Sequence, residues 1–357
     1  MTEAAWELHG LKLSYFTGKL EAWLRARGLP FRFVEMDMAG FRACARATGV
    51  AQMPALRTPA GEWLTDTTAI LGRLETEAPG PALQPAAPLA AFLSLFLEDA
   101  FDEWLWRPAL YYRWAFPDDA RLMSRRIAAT LMRDLPLPLA LKAAVMRRRQ
   151  QAVYLRGDGI TRATAPSVAR LYPEVLEVLE PILGRRPYLF GDRPVAADFG
   201  LFGPMFRHFA SDPAPAAILR ERAPAVLAWT ARLWNARPEA IAAAPLPETA
   251  PEDLDPLLRL AARDHLAELS ANAAAAEAGL RVARFRRGDA AWRLPVSPYR
   301  VRCLAEIQSA LWALSPEDRS TALARPGPEA RTLSGPVARI PVGEPGPGGR
   351  IRNRLWT

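Results

Sequence analysis

What most narrows the possible fold of this chain is a change of hydrophobic period near its start. A short apolar run, Trp6 to Leu13, reaches Ser14-Tyr15-Phe16-Thr17, and Gly18 then opens a segment, Lys19 to Arg27, with Leu20, Trp23 and Leu24 at helical spacing. That change of period predicts strand, loop, helix. The alternation then repeats. Leu29-Pro30 punctuates, Phe31 to Met36 predicts a strand, and about Ala39 to Thr48 a helix. Met53-Pro54-Ala55-Leu56 leads into another strand, Gly61 sits in a turn, and Glu62-Trp63-Leu64 returns. Asp66-Thr67-Thr68-Ala69-Ile70-Leu71 begins a last helix with Asp66 or Thr67 as its N-cap. The order, βαβ then ββα, describes one small sheet carrying helices.

Ser14 and Thr17 sit where a helix N-terminus turns unpaired amides outward, a place that favours an anion. They serve equally well as plain helix caps. Asp66 and Thr67 are similarly the residues an ordinary N-cap asks for.

Leu8-His9-Gly10, Ser14-Tyr15-Phe16-Thr17 and Lys19 together resemble the start of the glutathione transferase superfamily, whose first domain has the thioredoxin fold. Met53-Pro54 and Asp66-Thr67-Thr68-Ala69-Ile70 fall at that superfamily's cis-proline and acid-plus-hydroxyl turn. Tyr188-Leu189-Phe190-Gly191-Asp192-Arg193-Pro194, followed by Ala197-Asp198-Phe199, is similar to the signature of its all-helical second domain. The resemblance spans roughly residues 6 to 235. It implies an α/β plus all-α architecture: a thioredoxin-like N-terminal domain (1–78), a proline-rich linker (79–88) and an all-helical domain (89–240). A helical extension (241–325), as in some bacterial relatives, and a flexible basic Pro/Gly/Arg tail (326–357) complete the chain.

The resemblance also implies chemistry. Glutathione must lose its thiol proton before it attacks a carbon electrophile, and a hydroxyl hydrogen bond beside helix-terminal amides favours the thiolate. Ser14 is the first choice for that donor, Thr17 the second and Tyr15 the third. Neither Ser14 nor Thr17 is a cysteine, so dithiol exchange has no support. A cis bond before Pro54 would turn the Met53 backbone toward the cysteinyl part of glutathione. Asp66 and Thr67 would take the γ-glutamyl end. Phe16, Trp104, Arg107, Tyr111 and Tyr112 are candidates for the wall of a pocket for a small hydrophobic electrophile, with core packing the alternative for each aromatic. Val195 stands where the superfamily has Ser or Thr, three residues before Asp198, and Asp198 is assigned to folding. A homodimer is the implied assembly, and a non-catalytic binding or assembly protein on the same scaffold is the alternative function.

Composition narrows the rest. Half the residues are apolar, which allows a large core for 357 residues. Cys44 and Cys303 are the only cysteines and lie far apart, which argues against a disulfide scaffold or a thiolate metal site. No pair among His9, His208 and His265 has metal-ligand spacing. The net charge of +8 is partly owed to Arg331, Arg339, Arg350, Arg352 and Arg354 near the C-terminus. Arg147-Arg148-Arg149 reads as a solvated helix face, so no specific nucleic-acid recognition is expected. No apolar run is long enough to span a bilayer, and cytoplasmic residence is the default expectation.

Overall fold

The computed structural model describes residues 5–339. The first unit runs β1 (Trp6–Gly10), α1 (Tyr15–Ala26), β2 (Phe31–Glu35), α2 (Met38–Thr48), β3 (Ala55–Arg57), β4 (Trp63–Leu64) and α3 (Thr67–Glu77). Its strands form one sheet in the order β2-β1-β3-β4. β1 lies parallel to β2, with Trp6 opposite Phe31, and antiparallel to β3, with Leu8 opposite Leu56. The parallel pair needs a helical crossover, which α1 provides, whereas β3 and β4 need only a tight turn. Gly61 supplies its left-handed residue at φ 89°. This is a thioredoxin-like sheet, and the rest of the architecture is helical apart from one later hairpin.

The expected loop at Ser14-Tyr15-Phe16-Thr17 is corrected. Helix α1 already begins at Tyr15, and Ser14 is its N-cap, in extended conformation. The reading from spacing started the helix too late because Gly18 looked like a boundary. A Cβ on Gly18 would lie 2.4 Å from the Arg207 side chain, so this glycine marks a close approach within the helix.

The helical part comprises α4 (Pro88–Trp104), α5 (Trp106–Ala115), α6 (Pro117–Leu131), α7 (Leu139–Gln150), α8 (Ala165–Arg185), α9 (Ala196–Pro204), α10 (Pro213–Arg222), α11 (Pro224–Trp234) and α12 (Pro238–Ala243). The break between α4 and α5 falls at Leu105. Pro108 sits in the first turn of α5, where its missing N–H costs nothing. The main core joins Leu20 and Trp23 of α1 to Phe96 and Phe101 of α4, Phe199 of α9 and Trp229 of α11. α9 packs on both α4 and α1, so the two parts of the molecule share one apolar interior.

Asp198 explains how α9 begins without a hydroxyl cap. Fully buried, it accepts from the backbone N–H of Val195 and of Leu189, each at 3.0 Å, and from Trp229 Nε1 at 3.2 Å. Val195 has no side-chain acceptor, and the Asp198 N–H donates to the Val195 carbonyl at 2.8 Å.

Beyond α12 the chain forms α13 (Asp255–Ala261), α14 (Ala267–Glu277), a hairpin of β5 (Val282–Arg287) and β6 (Ala290–Pro295), α15 (Pro298–Trp312) and α16 (Pro316–Ala324). The hairpin turns on Gly288-Asp289, with Gly288 at φ 55°. The tail expected to be flexible from residue 326 is corrected for its first part. Pro328–Ser334 forms a 3₁₀ turn that buries Ala330 and Leu333, and Arg325 anchors it through Asp255 and the carbonyls of Ala250 and Pro251. Residues 340–357, which carry Arg350, Arg352 and Arg354, lie outside the described residues. Among the described residues no helix is long and apolar enough to cross a membrane.

Candidate functional site

The start of α1 is placed by groups from both parts of the molecule. Gly10, at the end of β1, leaves room for Thr17 of the first helical turn, since a Cβ there would lie 2.5 Å from Thr17 Oγ1. Arg113 of α5, buried and held by two bonds to Asp212 at 2.7 and 3.0 Å, donates to the Leu13 carbonyl at 3.0 Å. The chain just before Ser14 is thereby pinned by the helical part. Nothing in the sequence spacing pointed to Arg113, because its partners lie about a hundred residues away.

The three hydroxyl candidates separate sharply. Ser14 is partly exposed, and its Oγ accepts the Thr17 N–H at 3.4 Å, which leaves its own proton free to donate. Thr17 is fully buried, and its Oγ1 has no hydrogen-bond partner. Tyr15 is also buried, its hydroxyl donates to the Phe101 carbonyl, and burial followed by the charges of Asp102 and Glu103 pushes its phenol well up. A donor to a bound thiol must reach solvent-accessible space, so Thr17 and Tyr15 are placed as interior residues and Ser14 alone keeps the necessary access.

The proposed wall separates in the same way. Phe16 is half-buried and stacks on Trp106 at 5.7 Å. Trp104 is buried in the main core. Arg107 is 1% exposed and grips Glu268 of α14. Tyr112 is buried and donates to the Ala169 carbonyl at 3.0 Å, while Tyr111 packs edge-on against Tyr112 and Phe116. Trp104, Arg107 and Tyr112 are therefore interior side chains. The sequence reading passed over Trp106, which contacts both Tyr15 and Phe16 and anchors its indole N–H on Asp158 at 3.0 Å. The α4–α5 break at Leu105 turns Trp106 toward α1.

At the second end of the site, the Met53–Pro54 bond is cis, as the resemblance implied. Asp66 is the one non-glycine residue among the described residues with a positive φ, 70°. It stands at the N-cap of α3, with the Thr68 and Ala69 amides near its carboxylate but outside ordinary capping geometry. A non-glycine residue held in that region marks a place where the surroundings dictate the backbone, often for ligand contact. Burial raises its carboxyl, against the pull of Arg302, Lys19 and the amides of Ala69 and Thr68. Thr67 is buried beside it.

Beneath this end lies a buried polar cluster. Lys19 of α1 is wholly enclosed and binds Glu98 and Asp102 of α4, with Thr68 donating to Glu98 at 2.8 Å. Burial pushes both carboxyls up, Asp102 well up, while the two acids outweigh burial at Lys19 and keep it protonated. Two acids share one base here. A cavity of about 250 Å³ opens next to the cluster, lined by Asp66, Thr68 and Glu98 and by α15 of the extension. Ser14 and Met53 do not line it. Among the described residues no group of three or more His, Cys, Asp or Glu side chains could hold a metal ion. Both cysteines are buried, and burial pushes Cys44 up to about 11.

Residues 8–82 match the family model for the glutathione S-transferase N-terminal domain, and residues 138–238 match that for the glutathione S-transferase C-terminal domain. The extension and tail lie outside both. Among solved structures, the chain is similar to the beta-etherase LigF from Sphingobium sp. strain SYK-6, at 22% identity over 66% of this chain and 97% of that one, with a TM-score of 0.46. A GST-like protein from Pseudomonas syringae is 20% identical over 65% of this chain and 67% of that one, with a TM-score of 0.44. A glutathione S-transferase from Methylobacterium radiotolerans, in complex with glutathione sulfonate, is 22% identical over 69% and 96%, with a TM-score of 0.40. No curated protein matches the chain.

Proposed function

We propose that this glutathione transferase-like fold serves a glutathione-dependent transferase of a bacterial branch with a C-terminal extension, acting on a small hydrophobic electrophile. Glutathione, when bound, supplies the thiol; its sulfur forms a bond to carbon, a leaving group departs, and the thiol proton passes to solvent. Ser14 donates its hydroxyl proton toward the sulfur, and the α1 N-terminus favours negative charge there. The Met53 backbone pairs with the cysteinyl portion, ahead of Pro54. Asp66 takes the γ-glutamyl ammonium, and the Thr67 hydroxyl with the α3 amides takes its carboxylate. Phe16, in the first turn of α1, and Trp106, stacked on it, form an apolar surface for the electrophile.

The observation that carries this reading is Asp66: a partly buried carboxylate held at positive φ at the start of α3. A residue serving only the helix would adopt ordinary N-cap geometry. A homodimer remains part of the proposal, although α15 and α16 pack on α4 and narrow the surface free for it.

Calorimetry with reduced glutathione, followed by thiol-transfer assays over several electrophile types, tests the reading. Millimolar or tighter binding with turnover supports it. Binding without turnover favours the non-catalytic module, a reading to which the enclosure of Thr17 and Tyr15 lends weight. No binding up to several millimolar removes the proposal.

A further inference from the structure

Helix α15 comes from the segment outside both family matches, yet it forms one wall of the cavity at the start of α3. Arg302 and Glu306 of α15 face Asp66 and Thr68, with Glu98 and Asp99 of α4 on a further side. The cavity, about 250 Å³, is below the usual range for a whole small-molecule ligand and suits one polar end of such a ligand.

Two of its charged groups are already committed. Asp99 holds His265 at 2.6 Å, and Glu306 accepts from Arg302 Nε at 2.6 Å. Two groups keep unused capacity. Glu98 is 2% exposed, and while its Oε1 accepts from Lys19 and Thr68, its Oε2 has no partner. Arg302 spends only Nε, and its two terminal amino groups make no hydrogen bond among the described residues. An unpaired carboxylate oxygen shut away from water is costly unless something donates to it. The same cavity thus offers an acceptor for a cation and a forked donor for an anion. A zwitterionic α-amino-acid head carries both.

We propose that Arg302, carried by the C-terminal extension, is a specificity-determining residue that completes the γ-glutamyl subsite within one chain. Its guanidinium takes the α-carboxylate, and Glu98 Oε2 together with Asp66 takes the α-ammonium. This rests on the glutathione reading above. The extension is then part of the ligand site, and its helix α15 selects ligands with a free amino-acid head over those without one.

The test is calorimetry on the full chain with two probes, S-methylglutathione and S-methylcysteinylglycine, which lacks the γ-glutamyl group. Wild-type protein is expected to prefer S-methylglutathione. Arg302→Gln should weaken S-methylglutathione at least tenfold and leave the shorter probe unchanged, so that the preference collapses. Arg302→Lys, which keeps the charge but loses the fork, should fall between the two. It also carries the test if Arg302→Gln unfolds early. A variant that folds and retains the full preference for S-methylglutathione overturns the role of Arg302 while leaving the transferase reading intact. Failure of wild-type protein to bind either probe overturns both.

Discussion

Arg107 and Glu268, 161 residues apart, meet through two parallel hydrogen bonds of 2.6 and 2.7 Å in the interior between α5 and α14. Arg287 and Arg300 approach the same carboxylate at 3.0 Å each, and Arg107 and Arg287 both stand over the Trp292 ring. The extension is thus held to the helical part by one acid serving three arginines. Burial alone would raise the Glu268 carboxyl, but Arg107, Arg300 and Arg287 outweigh it and hold the group well below its ordinary value.

Removal of that acid strands three cations. Glu268→Ala is expected to cost about 3–5 kcal/mol, the range for breaking a buried ion pair from one side. Urea denaturation reads the loss, and limited proteolysis should show cleavage between residues 245 and 300 before the rest of the chain. The pH dependence follows from the lowered folded pKa. Such a carboxylate contributes stability above its unfolded pKa of 4.5 and loses it as pH falls toward the folded value. Wild type should therefore lose stability on acidification below about pH 5 more steeply than Glu268→Gln. Equal acid slopes would show that Glu268 is not ionised in the fold.

Asp198 should behave in the opposite sense. Burial pushes its carboxyl up to about 6 despite its three donors. A raised folded pKa means that this group's contribution is complete below the unfolded pKa of 3.8 and declines as pH rises through about 6. The stability of wild type relative to Asp198→Asn should accordingly fall by about 2 kcal/mol between pH 4 and pH 7. Asp198→Ala leaves the amides of Leu189 and Val195 and the Trp229 indole unpaired, at a cost of about 3 kcal/mol or more. Turnover per folded molecule should stay within about twofold, since Asp198 acts only on the fold; abolished turnover at unchanged melting temperature would overturn that assignment.

The elements of the first unit were legible because each turns on a local signal: the period change after Leu13, the Leu29-Pro30 stop, Gly61 in its turn. Asp198 was legible as a folding residue for the same reason, since its acceptor role depends on a short local motif. The pocket wall was not. Trp104, Trp106 and Arg107 lie within four residues of one another, and which of them faces α1 depends on the helix break at Leu105, where no glycine or proline marks the chain. In sequence Arg107 resembles a cleft residue, because its partner, Glu268, belongs to a segment whose docking no local pattern encodes. The role of α15 beside Asp66 is a tertiary fact of the same kind.

Ser14 and Thr17 make a paired test of the thiol-activating group. Thr17→Val keeps the shape while deleting a buried hydroxyl without a partner, so it should stabilise the protein by up to about 1 kcal/mol and leave turnover within about twofold. Ser14→Ala should cost about 0.5–2 kcal/mol through the lost cap. It should also reduce turnover at least tenfold and shift the pH–rate profile to higher pH, because the bound thiol loses its hydrogen bond. Stability loss alone, with an unmoved pH profile, would assign Ser14 to capping.

Asp66 separates strain from function within one side chain. At φ 70° it occupies backbone space that a glycine enters freely. Holding a non-glycine residue there costs about 1–3 kcal/mol, and a glycine adds about 0.5–1 kcal/mol of lost chain freedom. Asp66→Gly should therefore be as stable as wild type or more stable, by up to about 2 kcal/mol. Its affinity for glutathione should fall at least tenfold, because the carboxylate that meets the ammonium is gone. Asp66→Asn keeps the strained backbone but not the charge, so it should lose affinity without gaining stability. Chemical denaturation and calorimetry on the two variants give four numbers. If Asp66→Gly instead lost more than about 2 kcal/mol, the carboxylate would be serving the fold. The strained backbone would then lend no support to a ligand at the start of α3.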